Sequence, residues 1–234
     1  MPENWDVECE ALVVGAGCAG LSAALVAAQA GVQVLVIDSQ SSNYSSSTSF
    51  CNGNIALVQT DEQEALGVED SPETFANDAI SRANADGYPF PANNEDAVWA
   101  YANNANRAYR MLKDMGLQFG NPFEVSGHSV LRNQVVDTVQ MLDLMTAAVE
   151  EAGVEIIWET EFTRLITDGN GMVVGAWATD ADGNDIAIKA KRGVFCARVV
   201  LLAAPSYLRT ACRDSARSTR FRRTVRPVRA IWLP

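Results

Sequence analysis

The chain has 234 residues, 29 acidic and 18 basic, with a formal net charge of −11 and a pI near 4.5. Hydrophobic residues at 48% and charged residues at 20% are the proportions of a folded globular protein, which excludes general disorder and a collagen-like repeat. No stretch reaches the ~20 apolar residues of a membrane-spanning helix, and at ~150 residues per domain the length allows one to two domains.

The acidic start, Met1-Pro-Glu-Asn-Trp-Asp6, reaches a strand pattern within a dozen residues and leaves no room for a basic, apolar leader, so a cytoplasmic location is expected. The five cysteines (Cys9, Cys18, Cys51, Cys196, Cys212) contain no CxxC pair, which argues against a disulfide framework or structural zinc. One histidine, His128, excludes a multi-histidine metal site and an attached c-type haem. Charge is unevenly placed. Residues 1–197 hold 28 acids against 9 bases and all 16 glycines; residues 198–234 hold 9 arginines, one acid and no glycine.

Ala11–Val14 reads as a short buried strand, followed by Gly15-Ala-Gly17-Cys-Ala-Gly20. Leu21, Ala24, Leu25 and Ala28 then recur at helical spacing until Gly31, and Val32, Val34 and Val36 alternate as a second strand ending at Asp38. Strand, GxGxxG, helix, strand and acid, with the acid 23 residues after the first glycine, make a dinucleotide-binding unit. Gly15 suits the tight turn, Gly17 admits a pyrophosphate, and Gly20 lets the helix lie close to the strand. Free amides at the helix start would bind the phosphates, and Asp38 would accept hydrogen bonds from the adenosine ribose. This unit alone does not separate FAD from NAD.

The next stretch, Ser39 to Gly53, is small, polar and hydroxyl-rich. It is either a solvated linker or a loop wrapped along an extended cofactor. The run Ser46-Ser-Thr-Ser-Phe-Cys-Asn-Gly53, with Thr60-Asp-Glu-Gln63 and Gly67-Val-Glu-Asp-Ser-Pro72, resembles the fumarate reductase/succinate dehydrogenase flavoprotein superfamily, which includes 3-ketosteroid dehydrogenases and urocanate reductases. The resemblance covers residues 8–197. It places the Ser/Thr stretch where the family has a GGNS-x-x-SGG-like loop along the FAD pyrophosphate, ribityl chain and flavin ring. Thr48 and Gly53 match that pattern, whereas serines stand for its paired glycines and Cys51-Asn52 for Ser-Gly.

With the dinucleotide unit, the resemblance implies a cofactor-binding set of Gly15, Ala16, Gly17, Ala19, Gly20 and Asp38. It adds Ser39, Ser47, Thr48, Gly53 and, further along, Phe162. Family members with covalent flavin use a histidine in the Ser/Thr loop, so the resemblance implies FAD held non-covalently. It also implies hydride transfer between flavin N5 and a C–C or C=C bond of a small acid, enoate or ketosteroid. The family's catalytic and substrate-clamping residues, which belong to a capping domain, match no residue of this chain, so a truncated, inactive fragment that binds FAD weakly or not at all is expected, the alternative being a non-enzymatic FAD-binding fragment or electron-transfer subunit.

Ser71-Pro72-Glu73 is a helix start, with the helix running to about Asp86-Gly87. Pro89 and Pro91 break the chain, and a second helix from about Asn94 to Gly116 presents Val98, Ala102, Ala105, Tyr109 and Leu112 inward. Its asparagines Asn103, Asn104 and Asn106 are expected to face water. Ser126–Arg132 matches a Gly-x-Ser-Val-x-Arg segment of the family, and His128 is expected to be structural or peripheral rather than a catalytic acid. Asp137 caps a third helix with Val139, Leu142, Met145 and Val149 inward, closed by Gly153. Val154–Trp158 then reads as a parallel strand. Phe162–Thr167, Met172–Thr179 and Asp185–Lys189 alternate between Gly-rich polar turns as an antiparallel meander, and Lys191–Ala197 returns to the main sheet. The expected fold is therefore α/β: a Rossmann-like domain with a parallel sheet and an inserted three-stranded antiparallel meander, without a capping domain.

Past Ala197 the family pattern continues Thr-Gly-Gly-Phe, whereas this chain reads Arg198-Val-Val-Leu201. If those four residues are back-translated with the assumed codons CGG GTG GTT TTN, a reading two bases later gives Gly-Gly-Phe. Residues 198–234 are accordingly expected to be a frameshifted, non-native tail. The rival expectation is a basic arm for nucleic acid or an acidic partner, disfavoured because its arginines show neither a helical stripe nor a motif. No specific nucleic acid is expected as a partner, and a small-molecule substrate is.

Overall fold

The computed structural model describes residues 1–85 and 95–197. The helix end at Asp86-Gly87, the breaks at Pro89 and Pro91, the helix start at Asn94 and the tail 198–234 lie outside the described residues.

Strand β1 (Val7–Val14) ends in Leu12, Val13 and Val14, all but completely buried, as in the middle of a parallel sheet. The glycine turn leads into helix α1 (Cys18–Gln29), which stops before Gly31 in a left-handed conformation, φ 77°. Strand β2 (Val34–Ile37) lies parallel to β1, with Ala11 opposite Val34 and Val14 opposite Ile37. Strand β5 (Glu155–Ile157) extends the parallel set beyond β2. Strands β6 (Glu161–Thr167), β7 (Val173–Thr179) and β8 (Asp185–Cys196) complete one six-stranded sheet of order β5-β2-β1-β8-β7-β6.

The α/β fold and the antiparallel run are as expected, with one difference. The third meander strand and the return strand are a single 12-residue strand, β8. Asp185–Lys189 pairs antiparallel with β7, while Ile188–Cys196 pairs parallel with β1. Lys191-Arg192-Gly193 looks like a break in sequence. The chain passes through it in strand: a register shift sets Lys191 and Arg192 against the single residue Glu10, and pairing resumes with Gly193, φ 145°, opposite Ala11. The polar turns form as read: Asp168 Oδ1 accepts the amides of Asn170 and Met172, and Asp180 Oδ1 those of Asp182 and Asn184.

The two faces of the parallel strands are covered differently. Val13, Val34 and Val36 pack against Leu21, Ala24 and Leu25 of α1 and against Leu142, Met145 and Val149 of helix α5 (Thr138–Glu151). On the other face Leu12, Val14, Leu35 and Ile37 meet Ala176, Ala178 and Ile188, with Phe162 packed on the same cluster. The meander thus covers a face that helices cover in a doubly wound sheet.

Helix α2 (Asp61–Ala65) opens with a reciprocal capping box between Thr60 and Gln63. Helix α3 (Pro72–Ala85) opens as read, with Ser71 Oγ accepting the Thr74 amide at 3.0 Å. In helix α4 (Glu95–Asp114) Ala102, Ala105, Tyr109 and Leu112 are buried and Val98 packs beside them. Asn106 does not face water as expected. Its amide donates to the carbonyls of Val58 (3.1 Å) and Gln59 (2.7 Å), holding the left-handed Gln59 corner, φ 55°. In α5, Val139 is 44% exposed rather than inward, and Met141 takes the buried position. Asp137 caps α5 by accepting the amides of Val139 and Gln140. A small second sheet, β3 (Asn54–Ala56) antiparallel to β4 (Asn133–Val135), was not anticipated.

Candidate functional site

The three glycines of the first turn are held for three different reasons. Gly15 has φ 106° and donates its amide to Ile37 O at 2.8 Å, which turns the chain off β1 against the end of β2. At Gly20 a Cβ would lie 1.8 Å from the Gly15 carbonyl oxygen, so the first turn of α1 can approach the loop only without a side chain. Gly17 is different. It is the N-cap of α1 with φ −77° and ψ 178°, values open to any residue. A Cβ there would come no nearer than 3.4 Å to Thr48 Oγ1 and 3.8 Å to the Ser46 Cβ, ordinary contacts. The fold does not require a glycine at position 17, so its bare backbone is space for something outside the chain.

Asp38, at the end of β2, closes the turn from the side. Its Oδ2 accepts the Ala16 amide at 2.7 Å and its Oδ1 the Gln40 amide at 2.9 Å. Each oxygen keeps a further lone pair for an outside donor. Helix geometry leaves the first-turn amides of Cys18, Ala19 and Gly20 without intrahelical partners. Thr48 Oγ1 accepts the Cys18 amide at 3.2 Å, and Ala19 lies exposed at the helix start.

The hydroxyl-rich loop is folded and anchored, which removes the solvated-linker alternative. Asn43 is buried and donates to Thr146 Oγ1 at 2.7 Å, while the Tyr44 hydroxyl donates to Asp143 Oδ1 at 2.6 Å, tying one end to α5. The other end is tied by Gly53, whose carbonyl accepts the Val136 amide at 3.0 Å. Gly53 has φ 71°, and a Cβ would lie 2.1 Å from Val136 O. Between these anchors the loop lies over Gly17.

Thr48 therefore joins Gly15, Ala16, Gly17, Gly20 and Asp38 in one place, with Gly53 fixing the loop that carries it. Ser39 stands beside Asp38 and accepts a 3.4 Å bond from Gln40 Nε2, and Ser47 is exposed on the loop. Phe162 is half-buried in the apolar cluster under the meander; its packing is with the sheet, not with the glycine turn. The Ser46 Cβ lies 3.8 Å from the point a Gly17 Cβ would take, while its Oγ lies farther off, buried and without a hydrogen bond in the protein.

A buried ion cluster stands just ahead of β4. Arg132, 0% exposed, donates two bonds to Asp70 and one to Asp78, each at 2.8–2.9 Å, with its guanidinium 4.8 Å from the Phe75 ring centre. Burial pushes the Asp78 carboxyl up, but the Ser129 amide and Arg132 outweigh it and hold it below its ordinary range. His128 sits edge-on to Phe75 at 5.9 Å, and burial lowers its pKa. Among the described residues no group of three or more His, Cys, Asp and Glu is placed to hold a metal ion. No described helix is long and apolar enough to cross a membrane.

Residues 10–203 match the FAD binding domain family. The chain belongs to that family. FAD is the cofactor the family binds, and the open backbone at Gly17, the free helix-start amides and the Asp38 carboxylate suit a dinucleotide. The chain is 30% identical over 208 residues to the acrylate reductase flavoprotein subunit of Shewanella woodyi, covering 83% of this chain and 39% of that protein. It is 30% identical over 203 residues to the urocanate reductase of Eggerthella lenta, covering 84% and 32%. A 3-ketosteroid-delta4-(5alpha)-dehydrogenase from Rhodococcus jostii RHA1 superposes with a TM-score of 0.73 at 26% identity, covering 83% of this chain and 46% of that one. The open conformation of a flavocytochrome c3 fumarate reductase shares the fold, with a TM-score of 0.72 at 24% identity and coverage of 82% and 34%. The chain thus spans less than half of each.

Proposed function

We propose that this chain is the FAD-holding part of an oxidoreductase of the fumarate reductase type. Its whole protein would move a hydride between flavin and a C–C or C=C bond of a small acid, an enoate or a ketosteroid. The observation that carries the reading is Gly17, a glycine that neither its dihedral angles nor its neighbours require, at the start of a helix and beneath a hydroxyl-rich loop.

The amides of Ala19 and Gly20 and the positive end of α1 hold the pyrophosphate, which reaches the backbone over Gly15, Ala16 and Gly17. Asp38 accepts the adenosine ribose hydroxyls on its remaining lone pairs, with Ser39 beside it. Ser47, Thr48 and Gly53 carry the loop along the rest of the cofactor, and Phe162 backs the sheet beneath. FAD is held non-covalently, because the loop from Ser39 to Gly53 has no histidine and His128 packs on Phe75. Bound flavin supplies the two-electron chemistry, and the protein supplies its binding and orientation.

A purified sample of the 234-residue chain, mixed with FAD and desalted, is expected to keep the visible flavin bands. A colourless protein overturns the reading. The coverage of the relatives favours a second reading, in which this chain alone binds FAD without turnover, as a fragment or electron-transfer subunit. Reduction by dithionite followed by fumarate separates the two: rapid reoxidation marks an enzyme, and a flavin that stays reduced marks a binder. We further propose that residues 198–234 are a frameshift product. The gene's nucleotide sequence tests this, and failure of both other frames to resume family-like protein after codon 198 removes it.

A further inference from the structure

Two Asn-Gly pairs occur in the chain, Asn52-Gly53 in the hydroxyl-rich loop and Asn170-Gly171 in the turn between β6 and β7, and both asparagines are exposed. Such a pair is open to self-modification, because a glycine puts no side chain in the way when its amide nitrogen attacks the preceding carboxamide carbon. The fold treats the two pairs differently.

At Asn170 the attack is hindered. The Gly171 amide already donates to Asp168 O at 3.0 Å, so the nucleophile is tied up. The Met172 amide, two residues past the asparagine, is taken by Asp168 Oδ1 at 2.9 Å and does not serve the Asn170 carboxamide. At Asn52 both conditions are reversed. Asn52 Oδ1 accepts the Asn54 amide at 3.2 Å, an Asx turn that folds the carboxamide back over the Asn52–Gly53 peptide. The same amide is in place to hold the oxyanion that develops on that oxygen during attack. Gly53 is buried where a Cβ would lie 2.1 Å from Val136 O, and among the described residues its N–H has no acceptor. A donor left unpaired in a buried residue raises the energy of the starting state, and the attack removes that N–H altogether.

We propose that Asn52-Gly53 is a self-modification site that converts to isoaspartate in the folded protein. The Gly53 nitrogen gives its proton to hydroxide or a buffer base and attacks Asn52 Cγ. The Cγ–Nδ2 bond breaks, and Nδ2 takes up a proton and leaves as ammonia. Water then opens the cyclic imide: addition at Cγ gives aspartate, and addition at the former main-chain carbonyl gives isoaspartate, with the chain running through Cβ and Cγ. Nothing is oxidised or reduced, and the net change is O for NH. Isoaspartate sets one more main-chain atom ahead of Gly53, which is held by the Val136 amide on its carbonyl and by the close approach of Val136 O. The added length therefore falls on the loop side, toward Thr48 and its bond to the Cys18 amide. The weakened hold on FAD that follows rests on the FAD-binding reading above; the chemistry at Asn52 does not.

The test is to age the full 234-residue chain in mildly alkaline buffer, folded and in urea, and to quantify the peptides carrying Asn52 and Asn170 by mass spectrometry. Enzymatic methylation of isoaspartyl residues separates isoaspartate from aspartate. In the folded protein Asn52 should convert at least about tenfold faster than Asn170, the combined effect of a free nucleophile and an oxyanion donor. In urea the two should convert at similar rates, since the turn geometry is gone. Similar rates in the folded protein, or a difference that persists in urea, overturns the inference. Fresh and aged samples of wild type and Asn52→Gln, whose longer side chain closes a ring far more slowly, are then mixed with FAD and desalted. Aged wild type should keep less flavin than fresh, and aged Asn52→Gln as much as its own fresh sample. Undiminished flavin in converted wild type overturns the effect on the loop. If fresh wild type holds no flavin, the FAD-binding reading fails, while the peptide map still decides the chemistry at Asn52.

Discussion

Gly17→Ala separates what the fold needs from what a ligand needs at the same atom. In the protein alone the new methyl would sit 3.4 Å from Thr48 Oγ1 and 3.8 Å from the Ser46 Cβ, with backbone angles of φ −77° and ψ 178° that alanine adopts freely. Replacing glycine by alanine at compatible angles restricts the unfolded chain and stabilises by about 0.4–1 kcal/mol. Against this, alanine is a poorer N-cap than glycine, at a cost of roughly 0.5–1.5 kcal/mol. The two nearly cancel, so the melting temperature of the ligand-free protein should stay within ~4 °C of wild type. FAD meets the methyl head-on. Overpacking of about 1–3 kcal/mol corresponds to a loss of roughly 5- to 150-fold in affinity. Thermal melting by circular dichroism and titration of FAD by fluorescence quenching measure the two quantities on one preparation. Unchanged affinity in Gly17→Ala, or a collapse of the ligand-free fold, would refute the assignment of that space to the cofactor.

Gly20→Ala should behave in the opposite way. Its Cβ would fall 1.8 Å from the Gly15 carbonyl oxygen, a backbone clash expected to cost at least ~3 kcal/mol and lower the melting temperature by ~6 °C or more, with or without FAD. Arg132→Met leaves Asp70 and Asp78 buried without their counter-charge and should destabilise by roughly 3–5 kcal/mol, whereas adding Asp70→Asn and Asp78→Asn to it should recover most of that loss in urea unfolding. Acid sensitivity follows from the same carboxylates. Asp78 is held low as above; for Glu62 burial acts upward, but hydrogen bonds from Lys113 and Tyr109 prevail and lower it. Groups with depressed folded-state values contribute stability above the ordinary carboxylate range and lose it as pH falls through their folded values. The melting temperature should therefore be flat near neutrality and fall below about pH 4.5, and a fall beginning near pH 7 would contradict the assignment.

The turn from β1 to α1 and on to Asp38 was legible because its chemistry is local. Each glycine and the closing acid lie within one strand-helix-strand unit, and the caps at Ser71 and Asp137 act on amides two or three residues away. The unity of β8 was hidden because Lys191-Arg192-Gly193 mimics a turn, and only the register against β1 shows that the strand continues. The β3–β4 pair was hidden for a related reason. Its strands have three residues each, are rich in Asn and Gln, and join segments 79 residues apart through pairs such as Asn54 with Asn133. Val139 shows the limit of helical phase: it occupies the face next to Leu142 by spacing, yet it lies in the first turn, at the rim of the core. A family pattern marks Thr48, whereas its bond to the Cys18 amide arises only once the loop is folded onto α1.

The glycine turn, the Asp38 carboxylate and the hydroxyl-rich loop converge from separate stretches of sequence on the start of one helix. Their shared purpose is tested most directly by calorimetric titration of FAD into the 234-residue chain at neutral pH, repeated in the presence of excess ADP. One-to-one binding of FAD that ADP competes away is the expected result. Heat no larger than that of dilution, or FAD binding that ADP leaves untouched, would contradict a dinucleotide site at Gly15–Gly20.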